Sequence, residues 1–483
     1  MVYLIYKFAR PWSPAIKLEG LEGVKKALLI SIFMSKDIKI KKGLTIKLKG
    51  EAEKTLSSAP RSRTFAIRPS DFHLITPKMV VREGGKVQAG DTIFYSKSNE
   101  LLKFVSPVSG TLTKIERGAK RVIKEITIEA DPQDTFKNFG ILSPDSSSAE
   151  AIKARLLESG CWPFIMQRPY AVIADTEQEP RDIFVSAFSS APLANDCDFS
   201  LKGKEKELQA ALTALSKLTK GQVHVGVDKS GSSPFKGLRD ITLHTISGPH
   251  PAGNVGTQIN KLGPVNKGEI VWTVAPQDLV IMGELLLTGK FNPERIIALS
   301  GSEVKTPKYY RTRIGSEAAT FLYDSGLKDE NVRVISGDVL TGKKISPKGH
   351  LGYYNITVTV IPEGDDYEFF GWTKPVFDKI STSRALTFSW LTPNKKYDLN
   401  TNTNGEHRAF VVTGNYEEVF PLDMFPMQML KACMVQDLDE MEALGMYEVA
   451  PEDFALTEFV CVSKQPHQQI IRNGLDLMYK EIG

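Results

Sequence analysis

Apolar and polar positions alternate through Glu125-Ile126-Thr127-Ile128-Glu129. This period-two pattern puts both isoleucines on one buried face of a strand and the polar residues in water. From Met34 to about Asp131, short stretches of this kind are separated by glycine turns at Glu83-Gly84-Gly85, Ala89-Gly90-Asp91, Val108-Ser109-Gly110 and Arg117-Gly118. The spacing predicts a compact β-domain. The period changes at Ser147-Ser148-Ala149-Glu150, an S-x-x-E capping box. A helix with the stripe Ile152, Leu156 and Leu157 should follow and end at Gly160. Strands are expected at Tyr170 to Ala174, Asp182 to Ala187, Gln222 to Val227 and Ile241 to Ile246. A helix carrying Leu208, Leu212, Leu215 and Leu218 and closed by Gly221 lies among them, so the alternation argues for a wound α/β sheet.

A helical pattern from Gln277 to Thr288 ends at Gly289. Short strands at Arg295 to Leu299, Val332 to Ile335 and Ile356 to Val360, around a helix near Glu317 to Tyr323, read as a small α+β module. Beyond Gly371 the pattern turns helical. Pro426 opens a helix whose apolar positions Met427, Leu430, Met434, Leu438 and Met441 keep a 3.6 period, and Ile470, Ile471, Leu475 and Met478 repeat it. The expected fold class is multidomain α/β and β, divided as an extension 1–33, a β-domain 34–135, an α/β domain 136–285, an α+β module 286–370 and a largely helical region 371–483.

Charge changes this picture little. The 483 residues hold 61 Lys+Arg against 57 Asp+Glu, a formal charge of +4, too small for a protein that binds nucleic acid by neutralising phosphates. Residues 1–33 supply +3 of it and read as a translated leader, with Met34 as the working start, rather than a signal peptide. No segment approaches the ~20 apolar residues of a membrane span. Cys161, Cys197, Cys433 and Cys461 are too far apart for a C-x2-C cluster, so buried thiols are expected and no metal site is.

The longest stretch without Asp, Glu, Lys or Arg runs from Ile241 to Asn260 and contains the loop Ser247 to Thr257. It follows a strand, as a dinucleotide loop would. Pro251 stands where a G-x-G-x-x-G fingerprint ending at Gly256 needs its first glycine, removing an N–H donor. His250, Gly253, Gly256 and Thr257 are therefore the candidate residues of a quinone or docking loop, and its neutrality suggests a loop buried by a partner subunit or beside the quinone path. Val81 to Asp91 and Ser106 to Gly110 resemble the repeats of biotinyl and lipoyl carriers. The tip residue Lys97, in Tyr95-Ser96-Lys97-Ser98-Asn99-Glu100, lacks the carrier setting and reads as an ordinary exposed lysine. No catalytic residue emerges, and Asp437-Leu438-Asp439-Glu440 reads as a solvated helix face.

Five segments together resemble the A subunits of the bacterial Na+-translocating NADH:quinone reductases (Na+-NQR), from Met34 nearly to the carboxyl end. They are Ile38 to Gly43, His250-Pro251-Ala252-Gly253 through Gly256-Thr257, Pro307 with Arg311-Thr312-Arg313, Gly414-Asn415-Tyr416-Glu417 to Asp423, and Ala443-Leu444-Gly445 through Glu452-Asp453. The resemblance implies a barrel-sandwich hybrid, a Rossmann-like α/β domain, a β-grasp module of the soluble-ligand-binding type and a helical end. It implies a peripheral subunit on the cytoplasmic face of the bacterial inner membrane, held by the other subunits of a complex that oxidises NADH, reduces ubiquinone or menaquinone and exports Na+. No cofactor is expected in this chain; flavins and iron–sulfur centres would reside in partner subunits, with quinone a candidate ligand here. The alternative is a peripheral flavin-binding electron-transfer subunit of the Rnf or complex I type.

Overall fold

The computed structural model describes residues 35–365, 368–371, 373–374, 377, 379–384 and 386–483. The expected leader and Met34 lie outside the described residues.

The β-domain expected at the start is present, and the strands of its two sheets lie between Thr64 and Ala130. Thr64–Ile67, Ile123–Ala130, Gly110–Arg117 and Lys86–Val87 form one antiparallel sheet, and Pro77–Met79, Thr92–Ser96 and Lys103–Val105 a second. Ile126 and Ile128 are fully buried between them, as their alternation requires. Phe72, Phe94 and Phe104 fill the interior, the last two stacked with centroids 4.6 Å apart. Lys97 is exposed at its hairpin tip.

The two strands before this barrel leave it. Asp37–Lys39 joins the edge of the α/β sheet, parallel to Thr242–Ser247, and Glu53–Ser58 joins the edge of the third sheet, parallel to Lys308–Arg313. Residues 35–58 thus tie three layers together, which no local pattern announces.

The α/β sheet has seven strands in the spatial order 37–39, 242–247, 223–228, 182–186, 271–274, 165–168, 172–173. The first five are mutually parallel and the last two close the edge as an antiparallel hairpin. Strand order reverses between Asp182–Ser186 and Val271–Val274. A ligand of a wound sheet sits at such a reversal, beyond the carboxyl ends of the strands.

The helix Ala149–Glu158 buries Ile152, Leu156 and Leu157 as expected, but its cap is Ser148, whose Oγ accepts the Ala151 N–H at 3.3 Å. Ser147 instead donates to Ser143 O. The helix Glu205–Ser216 stops before Leu218. Gly221 does not cap it: a Cβ there would lie 2.0 Å from Arg181 O, so close approach explains that glycine. Pro276–Thr288 ends on Gly289 at φ +70°, a left-handed cap. This helix passes through residue 285, where a domain boundary was expected.

The third sheet is mixed, in the order Lys343–Ile345, Val332–Ser336, Thr357–Pro362, Glu294–Ser300, Lys308–Arg313, Glu53–Ser58. Ala319–Ser325 packs Phe321 and Leu322 on it.

Residues 371–413 hold no α-helix among those described, so the helical end begins only at Asn415–Val419. The expected single helix from Pro426 is two. Gln436 at φ +60° ends Pro426–Val435, and Asp437 caps Leu438–Ala443 by accepting the Glu440 N–H at 3.1 Å. Cys433 therefore faces the core and Met434 is 53% exposed. His467–Ile482 buries Ile471, Leu475 and Met478 on the expected stripe. This helical core takes in Tyr170 and Val172 from the edge hairpin of the α/β sheet, so the two units share apolar contact.

Candidate functional site

The neutral loop after Thr242–Ser247 is exposed only at Gly248. It crosses the carboxyl end of Asp182–Ser186, the position where strand order reverses, and His250, Gly253, Gly256 and Thr257 are all buried there. Charges are absent from it because its surroundings are this chain's own interior.

Each candidate residue meets a different neighbour. Ser190, on the loop after Asp182–Ser186, accepts the Gly253 N–H at 2.8 Å, and its hydroxyl is hydrogen-bonded to His250 Nδ1 at 3.1 Å. Burial pushes the His250 pKa down to about 4, with Asp338 of the third sheet opposing only partly, so the ring is neutral at physiological pH. A Cβ on Gly253 would lie 2.5 Å from Ser190 N and 3.0 Å from Phe188 O, a close backbone approach that only glycine permits. Ser186 Oγ donates to Gly253 O at 2.7 Å and accepts from Gln258 Nε2 at 2.7 Å. Gln258 in turn occupies the space above Gly226, where a Cβ would be 2.2 Å from its Oε1.

The segments quoted for the family resemblance converge on this loop. Ile40 N–H donates to Ser247 O and Leu44 N–H to His250 O, each at 2.8 Å, and Gly43 N–H donates to Glu418 O at 3.2 Å. A Cβ on Gly43 would lie 2.1 Å from His250 O. Four of the five segments, those at 38–43, 250–257, 414–423 and 443–453, therefore touch one another. The fifth supplies Arg313, which with Arg61 holds the buried Asp134 carboxylate at 3.3 and 2.6 Å and ties the barrel to the third sheet.

The helix Val255–Leu262 begins on this loop, and its amino-terminal end is where a dinucleotide phosphate would sit. Asp453 takes that place. A Cβ on Gly256 would be 2.3 Å from Asp453 Oδ1 and 2.6 Å from Arg168 Nη1, so Gly256 exists to let this ion pair pass. Arg168, at the end of Ile165–Arg168, donates from Nη1 to Asp453 Oδ2 at 2.7 Å and to Glu448 O at 2.5 Å, and from Nη2 to Glu452 Oε1 at 3.2 Å. The Arg168 side chain is 3% exposed and that of Asp453 fully buried. The carboxylate accepts the Ala450 N–H at 2.8 Å through the same Oδ2, while its Oδ1, beside Gly256 in the first turn of the helix, is buried without a hydrogen-bond partner among the described residues. Glu448 extends the joint, accepting from Asn260 Nδ2 at 2.7 Å and Val265 N–H at 3.0 Å; burial raises its pKa against those bonds.

The third sheet roofs the same end of the α/β sheet. Gln277 exchanges hydrogen bonds with Ile296 at 2.8 and 3.0 Å, and Asn195 Nδ2 donates to Ile296 O and Ile356 O. Asp278 and Arg295 form a buried pair at 2.6 Å beneath them, and desolvation raises the Asp278 pKa despite the arginine.

The sequence does not single out Arg168, Ser190 or Gln258, and it marks Asp453 only within a motif. Their signals were an arginine inside an apolar strand run and Pro451-Glu452-Asp453 at a helical start. The four thiols are buried as expected, with Cys161, Cys197 and Cys433 pushed up to about 12 by desolvation. No group of three or more His, Cys, Asp or Glu among the described residues could hold a metal ion. No helix among them is long and apolar enough to cross a membrane.

Comparison with known proteins accounts for the convergence. Three family models match: the NqrA N-terminal barrel-sandwich hybrid domain over residues 38–131, the NqrA second alpha/beta domain over 147–291 and the NQRA C-terminal domain over 296–346. The chain is 36% identical over 447 residues to the A subunit of the Na(+)-translocating NADH-quinone reductase of Vibrio atlanticus, covering 92% of this chain and 100% of the relative. Over 448 residues it is 36% identical to the corresponding subunit of Neisseria meningitidis serogroup B and 37% to that of Vibrio anguillarum, with the same coverage. The chain belongs to the NqrA family, the A subunits of the Na+-translocating NADH:quinone reductases, and is thus a subunit of that oxidoreductase.

Proposed function

We propose that this subunit serves its complex as a framework without a redox centre of its own, sitting peripherally on the cytoplasmic face of the membrane while sister subunits carry the flavins and iron–sulfur centres. The observation that supports this reading is the filled crevice of the wound sheet. Asp453, paired with Arg168, stands against Gly256 at the helix end that would receive a phosphate, and Gln258 packs over Gly226 and bonds Ser186. His250 faces Ser190 rather than open space. The loop therefore serves to join the barrel, sheet and helical units, with quinone access shaped by the framework and no proton or electron handled by the loop.

Gly253→Val in the assembled complex tests this. The close approach to Ser190 is lost, so assembly and quinone reduction should fall together, while NADH oxidation with artificial acceptors persists in the remaining subunits. Loss of NADH oxidation with assembly intact would overturn the reading and favour a flavin-bearing electron-transfer role.

A further inference from the structure

Asparagine followed directly by glycine occurs twice in the chain, at Asn404-Gly405 and Asn473-Gly474. In such a pair the glycine backbone nitrogen can attack the asparagine side-chain amide, because no Cβ shields the approach. The fold treats the two pairs in opposite ways. Asn473-Gly474 lies inside the helix His467–Ile482, where backbone rotation is fixed and the N–H groups are spent on helical bonds. Gly474 is also buried, and a Cβ there would stand 2.6 Å from Cys433 Sγ.

Asn404-Gly405 has none of these restraints. Residues 403–409 are exposed and belong to no helix or strand. The Gly405 N–H meets no acceptor among the described residues, so the nitrogen that must attack is free. Asn404 sits at φ +50°, in the left-handed region that few side chains adopt at no cost. Its side chain is held only locally, Nδ2 donating to Asn402 O at 3.3 Å.

One neighbouring side chain favours reaction here. Lys464 lies across Gly405, its Cε 3.4 Å from where a glycine Cβ would stand, so the ammonium one bond further on is beside the same peptide unit. A positive charge in that place eases loss of the N–H proton and stabilises the negative oxygen that develops on Cγ during attack. The two segments are fastened to each other: Arg408 N–H donates to Ser463 O and Ser463 Oγ to Ala409 O, each at 2.9 Å.

We propose that Asn404 is a site of spontaneous deamidation, assisted by Lys464. Gly405 N forms a bond to Asn404 Cγ as its proton passes to water or hydroxide, Nδ2 leaves as ammonia, and water opens the resulting cyclic imide at either carbonyl. Nothing is oxidised or reduced, and water is the only co-reactant. The products are an aspartyl and an isoaspartyl residue, each placing a negative charge near Lys464, and the second rerouting the main chain through the side-chain carbon. The modification thus falls on the segment that leads from the third sheet to the helical end, and it is independent of the filled crevice.

Incubation of the full chain in mildly alkaline buffer, followed by digestion and peptide mass spectrometry, tests it. The peptide containing Asn404 should gain the mass of an amide-to-acid exchange while the peptide containing Asn473 does not, and in urea both should convert. Gly405→Ala should slow conversion about tenfold, because the added methyl hinders the attacking nitrogen. Lys464→Met should slow it severalfold with thermal unfolding unchanged. An Asn404 that stays intact while Asn473 converts in urea, or equal conversion of the two pairs in the folded chain, would overturn the proposal. So would a Lys464→Met chain that converts as fast as the unaltered one.

Discussion

Arg168→Leu isolates the joint between the α/β sheet and the helical end. The arginine is almost wholly buried and faces the Asp453 carboxylate at 2.7 Å; removing it leaves that charge in the interior. Such an uncompensated partner costs about 3–5 kcal/mol. Asp453 keeps the Ala450 N–H, so a cost near the lower end, about 3 kcal/mol, is expected. At about 1.4 kcal/mol per factor of ten, the local opening of residues 445–462 should become over a hundredfold more frequent. Hydrogen exchange followed by mass spectrometry on peptides from that region reads this directly, while peptides from the barrel strands serve as a reference. Arg168→Leu/Asp453→Asn removes both charges, and a double-mutant cycle should return a coupling of about 2 kcal/mol. A coupling below about 0.5 kcal/mol, or a single variant without effect on exchange in 445–462, would refute the view that this pair fastens the helical end.

Gly256→Val should cost about 2–3 kcal/mol and loosen the same peptides, because its side chain would displace Arg168 and Asp453; unchanged exchange would show that the pair can shift freely. His244, His250 and His467 are each pushed down to about 4 by burial from an ordinary value of 6.5. Their unfolded forms bind protons that the folded protein refuses, so stability should be full above about pH 6.5 and fall as pH drops towards about 4. The limiting slope is about 4 kcal/mol per pH unit for three protons. Differential scanning calorimetry from pH 7.5 to 5 checks this, and a flat melting temperature would contradict it. His250→Ala should lower the melting temperature by loss of the Ser190 bond while leaving the apparent quinone KM unchanged; a raised KM would place the imidazole at the substrate.

What the sequence revealed was local. The alternation at Ile126 and Ile128, the stripe at Ile152, Leu156 and Leu157, and the cap at Gly289 depend on neighbours a few residues away, and the structure repeats them. What it hid was non-local. Asp37–Lys39 and Glu53–Ser58 pair with strands some two hundred residues or more distant, and nothing in their own periodicity names the partner. The break between Pro426–Val435 and Leu438–Ala443 was written in Asp437 and Glu440, whose cap signal reads equally as an acidic helix face. Within Ser247 to Thr257, His250, Gly253, Gly256 and Thr257 are buried, and the neighbours against them, Ser190, Arg168 and Asp453, come from distant parts of this chain. Gly256 illustrates the limit: the sequence offered it only as part of a candidate quinone or docking loop, and the ion pair that leaves no room for a side chain there has members 285 residues apart.

The central claim is that the crevice of the wound sheet is closed to nucleotides by the chain's own residues. Calorimetric titration of the isolated full chain with FMN and with NADH tests it most directly. A closed crevice predicts no saturable heat at micromolar ligand and no flavin absorption in the purified chain. Micromolar binding of either nucleotide that is abolished by Gly256→Val would contradict it, since a ligand would then occupy the place that Asp453 fills.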